Sequence, residues 1–510
     1  MGRIPMSTAD APVHDGGLTR AERAALDESG RPVVLVCFVS ALVWLLLGSL
    51  FGDVASLKMN LPDWANQWGW LTFGRIRPVH LNMMIYGWAS LAMIGVAIWL
   101  LPRLLHAPLQ VRGLAVAGIA LWNIGLVTGN GLILAGRTNG MEWLEMDRYL
   151  SAPWLVLGGG LVGLSLFITM ARRRVSHLYV SVWYALGAFL WFPLIYVTGM
   201  LPIYHGVEHA AVNWFYAHNA LGFWLTAISL AAIYYFIPKV LGRPVFSYQL
   251  SLIGFWALAF FYSLNGMHHL IGGPLPSWMI ATSIVASLMM IIPVLAVAVN
   301  HHMTIVGRFA ALRYSPTLRF VVIAAMAYTA VSLQGIFTAL VKVNRLTHFT
   351  HWTIGHSHTG VYGFVTMAMF GSMYYILPRL TKREWPSDRL IRWHFWLALG
   401  GITLYVVALS IGGVLQGLAM NDTSQPFSNS VIVTMPYLWV RTLAGLILTT
   451  AHLVFAYHVG WMLTAAPQTR LLPPWHEPWP IIVPPADEGP APGVASWPAS
   501  GCSSSGRWRS

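Results

Sequence analysis

The feature that most constrains this chain is its run pattern: long apolar stretches, each about twenty residues, separated by short polar loops. A run of that length, wound as a helix at roughly 1.5 Å per residue, matches the roughly 30 Å hydrocarbon core of a bilayer. Inside a bilayer no water reaches the backbone N–H and C=O groups, so the run has to be a helix that pairs them internally. Twelve runs qualify, near 33–52, 80–101, 112–136, 150–171, 178–200, 211–237, 248–271, 278–299, 318–341, 354–378, 393–417 and 434–463. The expected fold is therefore all-α, a polytopic membrane bundle of about twelve transmembrane helices. Composition agrees, since 56% of the 510 residues are hydrophobic and 9% charged, too few charges to cover a soluble surface.

The net charge of +13 does not point to nucleic acid, because the basic residues sit in the short loops. Arg172-Arg173-Arg174, the Lys239/Arg243 loop, the Arg308/Arg313 loop and the Arg379/Lys382/Arg383 loop fall on one side of the arrangement. Arg3, Arg20, Arg23 and Arg31 of the N-terminal arm share that side. The positive-inside rule makes it cytoplasmic and puts both termini there. The cysteines, Cys37 and Cys502, belong to no CxxC or CxxCH pattern, so no disulfide framework, thiolate metal site or covalent haem c is expected. The polar first thirty residues lack the early apolar run of a cleavable signal peptide. Three regions are expected: a cytoplasmic arm over 1–31, a twelve-helix domain over 32–465, and a Pro- and Ser-rich, disordered cytoplasmic tail over 466–510.

Ionisable residues within spans are costly and mark function. Six histidines fall inside spans or near their outer ends: His80, His218, His268, His269, His356 and His358. Isolated histidines can simply bond neighbouring helices, but an HH pair and an HxH pair argue for ligation. Successive helical residues turn by about 100°, so His356 and His358 point about 200° apart. One helix could then ligate two flat cofactors, one on each face, and neutral imidazole is the usual protein ligand of haem iron. His80, from another span, could complete a six-coordinate haem suited to electron transfer. The other haem would keep an open position. His218, His268 and His269 could form a three-histidine site for copper, iron or zinc, making a binuclear centre opposite that open position.

The motifs resemble those of the haem-copper oxidase superfamily, and within it the catalytic subunit I of C-type, or cbb3-type, cytochrome c oxidases. The segments are Arg75-Ile-Arg-Pro-Val-His80, Trp214-Phe-Tyr-Ala-His218-Asn-Ala, Tyr235-Phe-Ile-Pro-Lys239, Asn265-Gly-Met-His268-His269, Lys342-Val-Asn344 and Trp352-Thr-Ile-Gly-His356-Ser-His358. The resemblance spans about residues 70–465 and implies roles. His80 and His358 would hold a low-spin haem b, His356 a high-spin haem, and His218, His268 and His269 a copper ion. Arg75 and Arg77 would pair with haem propionates, as Arg matches carboxylate geometry, or else mark the membrane interface. Glu142 and Glu145 occupy an outer loop that resembles a calcium-binding or subunit-facing segment, and a solvated acidic loop is the other reading.

The same superfamily contains nitric oxide reductases, which use non-haem iron instead of copper and place a Glu four residues after the first metal histidine. This chain has Gly222 there, and an all-histidine site suits copper. Tyr262, six residues before His268, matches a tyrosine that in C-type oxidases becomes linked to a copper-ligating histidine and supplies a proton and an electron. Thr226, Tyr248 and Ser251 lie on the helices that carry the family's proton-input path. Two family acids are missing: Gln334 replaces a Glu and His351 an Asp. The resemblance thus implies a terminal oxidase subunit of a bacterial inner membrane that reduces O₂ to water. Electrons would arrive from a membrane-anchored cytochrome c subunit, with proton uptake and pumping. Nitric oxide reduction is the alternative, and a haem-bearing sensor or transporter is a third reading.

Overall fold

The computed structural model describes residues 18–464. The expected tail over 466–510 and most of the expected N-terminal arm lie outside the described residues. Within them, twelve helices are long and apolar enough to cross a membrane, and each expected run overlaps one. They are α1 (Ala21–Asn60), α2 (Phe73–Leu105), α3 (Arg112–Leu134), α4 (Ala152–Ala171), α5 (Val180–Met200) and α6 (Gly206–Leu241). After these come α7 (Tyr248–Leu270), α8 (Ser277–Ile305), α9 (Pro316–Thr338), α10 (His351–Thr381), α11 (Asp388–Asn421) and α12 (Ser428–Thr464).

The first helix starts well before the apolar run near 33, and a reciprocal cap explains why. The Glu22 N–H donates to the Thr19 hydroxyl at 3.2 Å, and the Thr19 N–H donates to the Glu22 carboxylate at 2.8 Å, satisfying donors that a bare first turn leaves unpaired. At 40 residues, α1 is roughly 60 Å long, so its first turns stand outside the hydrocarbon. A half-buried Arg103–Asp27 ion pair at 2.5 Å ties them to the end of α2.

The basic loops gather at one end because their arginines close helix C-termini. Arg243 donates to the Val306 carbonyl at 3.0 Å, and Arg383 donates to the carbonyls of Met462 and Leu463 at 2.7 and 2.9 Å. Cationic donors suit these unpaired carbonyls and the negative end of the helix dipole. The Arg174 N–H reaches the Leu105 carbonyl at 2.9 Å. The start of α1 and the end of α12 therefore share this basic end.

Burial sorts the helices into a centre and a rim. The most apolar windows of α2, α6 and α10 are 94%, 89% and 89% buried, against 33–61% for the other nine. The rim exposes large apolar side chains such as Leu194, Phe260, Trp393 and Trp396, which suits a lipid environment. On the rim α3 and α4 meet backbone to backbone: a Cβ on Gly118 would lie 2.5 Å from the Gly158 carbonyl oxygen, and one on Gly158 2.6 Å from that of Gly118.

The three central helices are not uniform. Each contains one π turn, at Met83–Ala89, Ala220–Thr226 and Thr359–Thr366. These begin just after His80, His218 and His358. The end of α7 tightens into a 3-10 stretch, Tyr262–Leu270, which carries Tyr262, His268 and His269. Such departures re-aim side chains relative to the rest of a helix and concentrate at functional sites.

Candidate metal centre

His218 from α6 and His268 and His269 from the 3-10 end of α7 converge, with one ring nitrogen from each within 4.8 Å of the others. The His218 and His268 rings stand perpendicular at 4.9 Å, and His269 stacks on Trp214 at 3.9 Å. The Ser287 hydroxyl donates to the Ser283 carbonyl at 2.7 Å, so its oxygen accepts from Nδ1–H of His268 at 2.8 Å. Nε2 of His268 is thereby left as a bare lone pair. Nδ1 of His218 is buried and lacks a partner among the described residues. Three converging imidazoles with an unpaired buried nitrogen fit a resident metal ion.

A cavity of about 150 Å³ adjoins the cluster, and all three histidines, Tyr262 and His356 line it. Its wall between α9 and α10 is kept thin by Gly335 and Gly360; a Cβ on Gly360 would lie 3.3 Å from Val331. A broad, mainly apolar slot with one imidazole in its wall fits a flat macrocycle. Gln334 accepts from Nδ1–H of His356 at 3.2 Å through its amide oxygen, which leaves Nε2 bare.

His358 faces elsewhere, as its angular separation from His356 requires, and does not line the cavity. Its Nδ1–H donates to the Ile354 carbonyl at 2.9 Å. His80 donates through Nδ1–H to the Gly48 carbonyl at 2.7 Å, and the two imidazoles are close enough to interact electrostatically. Carbonyl oxygens only accept, so both rings offer Nε2. His80 fits because α1 carries Gly48-Ser-Leu-Phe-Gly52: a Cβ on Gly52 would lie 2.7 Å from the ring.

Tyr262 packs nearly parallel to His218, ring to ring at 4.7 Å. A Cβ on Gly222 would lie 2.0 Å from the Tyr262 ring. The tyrosine and any side chain at 222, a glutamate included, therefore compete for one space. Thr226 lines the cavity. Tyr248 and Ser251 do not; they lie at the opposite end of α7, where Tyr248 donates to the Leu178 carbonyl at 2.8 Å and Ser251 to the Tyr248 carbonyl at 2.5 Å.

Several polar groups that the sequence reading passed over lie near these. Asn300 donates to the Ser247 carbonyl at 2.8 Å and to the Tyr234 hydroxyl at 3.5 Å. Tyr234 packs on His301 at 4.3 Å, both of whose nitrogens are buried without a partner among the described residues. Tyr328 and Ser332 line the cavity. The signal available was Asn300-His301-His302, a polar triplet inside an apolar run.

Arg75 and Arg77 donate to the carbonyls of Leu134 and Glu142, each at 3.0 Å. The Glu145 carboxylate accepts from the Asn139 backbone at 2.9 Å, the Asn139 amide at 3.0 Å and the Met141 backbone at 2.8 Å. Glu142 accepts from the Trp214 indole at 2.9 Å. These groups fasten the outer loop to α2 and α6. The arginine that stands out is another one, Arg441 in α12. It is buried, rests on Tyr405 with a 3.2 Å bond to its hydroxyl, and has no carboxylate partner among the described residues. Tyr405 in turn packs on His358 at 4.5 Å, and Arg441 acts electrostatically on His80, His351 and His358 alike. His351 is itself buried, its backbone N–H held by Gln416 at 2.8 Å.

Residues 32–447 match the protein family described as cytochrome c and quinol oxidase polypeptide I. The chain is 33% identical over 453 residues to the cytochrome c oxidase subunit 1 homolog of Azorhizobium caulinodans, covering 84% of this chain and 81% of that protein. It is also 33% identical over 450 residues to the cbb3-type cytochrome c oxidase subunit CcoN1 of Stutzerimonas stutzeri, covering 84% and 94%. Among solved structures, a haem-copper terminal oxidase dimer seen by cryo-electron microscopy has a similar fold. It has a TM-score of 0.65 and 15% identity over 88% of this chain and 85% of that one.

Proposed function

The chain belongs to the haem-copper oxidase superfamily as a subunit I, and from that premise we propose that it is the catalytic subunit of a cbb3-type terminal oxidase. The reaction is reduction of O₂ to water with electrons from cytochrome c. The observation that carries this reading is the all-imidazole cluster facing His356 across one cavity, with Tyr262 beside His218 and Gly222 leaving it room.

Bound haem supplies electron relay on one face of α10 and, with copper, a reducing site for O₂ on the other. The protein's own part is orientation and protons. His80 and His358 present Nε2 from two helices for the low-spin haem b. His356, its tautomer fixed by Gln334, would hold the high-spin haem through Nε2. His218, His268 and His269 would hold the copper, and imidazole donors suit that ion. Arg441 offers a buried positive charge to a haem propionate, which removes the cost of an unpaired guanidinium. Arg75 and Arg77 serve first as loop anchors, as do Glu142 and Glu145, so a calcium ion there would have to displace the bonds Glu145 already makes.

Tyr262 places a phenol in the cavity as proton donor. Protons reach it from the basic end by Tyr248 and Ser251, then the Tyr234–Asn300–His301 group, then Tyr328, Ser332 and Thr226. Hydroxyls and imidazoles both donate and accept, which is what a relay requires. The basic end faces the cytoplasm of a bacterial inner membrane, by the positive-inside rule, with both termini on that side. Electrons enter from a membrane-anchored cytochrome c subunit, and uptake is coupled to pumping.

The test is metal analysis of the purified complex with O₂ and NO consumption measured side by side. Copper together with O₂ uptake is expected. Non-haem iron with NO turnover would overturn the reading in favour of a nitric oxide reductase.

A further inference from the structure

A second set of histidines, His394 in α11 and His452 and His458 in α12, is fully buried and lines no part of the cavity. His458 lies at the basic end, where its Nε2 accepts the Ser387 N–H at 3.1 Å. Its proton is therefore on Nδ1, and that atom is buried without a partner among the described residues. His394 and His452 lie roughly 10 Å deeper, six or seven residues along their helices. The rings between them are aromatic: Trp385 on His458 at 4.7 Å, Phe455 on His394 at 4.6 Å, and Phe370 on His394 and His452 at 4.4 and 6.0 Å.

His394 bonds the Tyr374 hydroxyl through Nδ1 at 2.9 Å, while its Nε2 is buried without a partner among the described residues. Buried polar atoms are almost always paired, and two unpaired imidazole nitrogens in one region suit bridging water. His452 is engaged on both sides. The Ser49 hydroxyl donates to the Leu45 carbonyl at 2.7 Å, so its oxygen accepts from Nδ1–H of His452 at 2.7 Å. Nε2 then takes the Tyr362 hydroxyl proton at 3.0 Å.

These two partners give His452 its place. Ser49 is next to Gly48, whose carbonyl orients His80. Tyr362 lies one turn beyond His358 on α10. A charge on His452 thus sits between the two segments that hold the His80–His358 pair.

We propose that His458, His394 and His452 form a second proton path, separate from the cavity, from the basic end of the bundle to the low-spin haem. This rests on the reading that His80 and His358 would hold that haem. One electron from the cytochrome c donor reduces ferric to ferrous iron. One proton from water at the basic end passes along the chain to Nε2 of His452 as the Tyr362 hydroxyl turns from donor to acceptor. The proton leaves again to water when the electron moves on. Among the described residues, Tyr362 from α10 bonds His452, His394 from α11 interacts with it electrostatically, Tyr374 bonds His394, and Asp53 from α1 accepts from Thr449, three residues before His452, at 2.7 Å.

The test uses the purified oxidase complex with His452→Phe and, separately, His394→Phe. The midpoint potential of the low-spin haem is titrated across neutral pH, and proton uptake is timed after rapid reduction. In the unaltered complex the potential should fall as pH rises. His452→Phe should keep the low-spin spectrum and lose at least half of that slope. His394→Phe should keep the slope and slow uptake by about tenfold or more, as loss of a positioned proton carrier does. An unchanged slope in His452→Phe overturns the proposal, as does a pH-independent potential in the unaltered complex. If His452→Phe does not assemble, His394→Phe decides, and unslowed uptake there overturns the path. Failure of the ligand reading looks different: His80→Ala would then retain the low-spin spectrum at any pH.

Discussion

His356 and His358 are two residues apart on one helix, yet their surroundings differ in kind. On the His356 face, Gly335 and Gly360 keep the wall thin and a cavity opens toward three more histidines. On the His358 face the neighbouring imidazole is His80, admitted where α1 has Gly52, with Tyr405 packed on His358 and Arg441 bonded to Tyr405. The side chains are identical and each has its Nδ1 tied to a carbonyl-type oxygen. What separates them is the neighbouring helix: one leaves open space, the other fills it with a second imidazole.

The sharpest way to break this contrast is to make the His358 face resemble the other. His80→Ala should remove the sixth ligand, convert the low-spin haem spectrum to high-spin, and cost more than the roughly 10–100-fold loss typical of outer-shell changes. Optical spectra of the purified complex decide, and an unaltered spectrum would show that His80 is no ligand. On the cavity face, Ser287→Ala removes the partner that sets the His268 tautomer. Affinity for the non-haem metal should fall by about 10–100-fold, read by metal competition, with both haems retained.

Gly222→Ala tests whether the cavity face is as crowded at Tyr262 as the 2.0 Å clearance implies. Overpacking should cost about 1–3 kcal/mol, outweighing the roughly 0.5–1 kcal/mol that Ala gains over Gly in a helix. Thermal unfolding of G222A, alone and combined with Tyr262→Ala, gives the coupling; a penalty that survives loss of the ring would dismiss the steric link. The smallest effect is expected at Gln334→Glu. A carboxylate in place of the amide strengthens the bond to His356 by about 1 kcal/mol and makes the imidazole a stronger donor. The high-spin haem potential should fall, and a rise would contradict the hydrogen bond at 3.2 Å.

Much of this was readable from residue order. A bilayer leaves a chain few choices, so twelve apolar runs became twelve helices. Helical periodicity alone put His356 and His358 on different faces. The HH pair and the lone His218 proved to be one cluster. The early start of α1 was legible too, in the Thr19/Glu22 capping box, but apolar length overshadowed it.

Other features belong to the tertiary structure because they depend on pairs of residues far apart in sequence. Nothing near Gly222 in the chain says that its missing side chain makes room for Tyr262. Nothing near Arg441 says that it is buried beside His358 with no acid to pair with, whereas Arg75 and Arg77 hold a loop. The π turns that follow His80, His218 and His358 change register by one residue, and no local pattern announces them. Residue order thus determined the number of spans, their apolar lengths and the supply of imidazoles, all of which follow from solvation and helical period. Which imidazole meets open space and which meets another ring was decided only by packing, since clearance between helices is a property of two backbones at once.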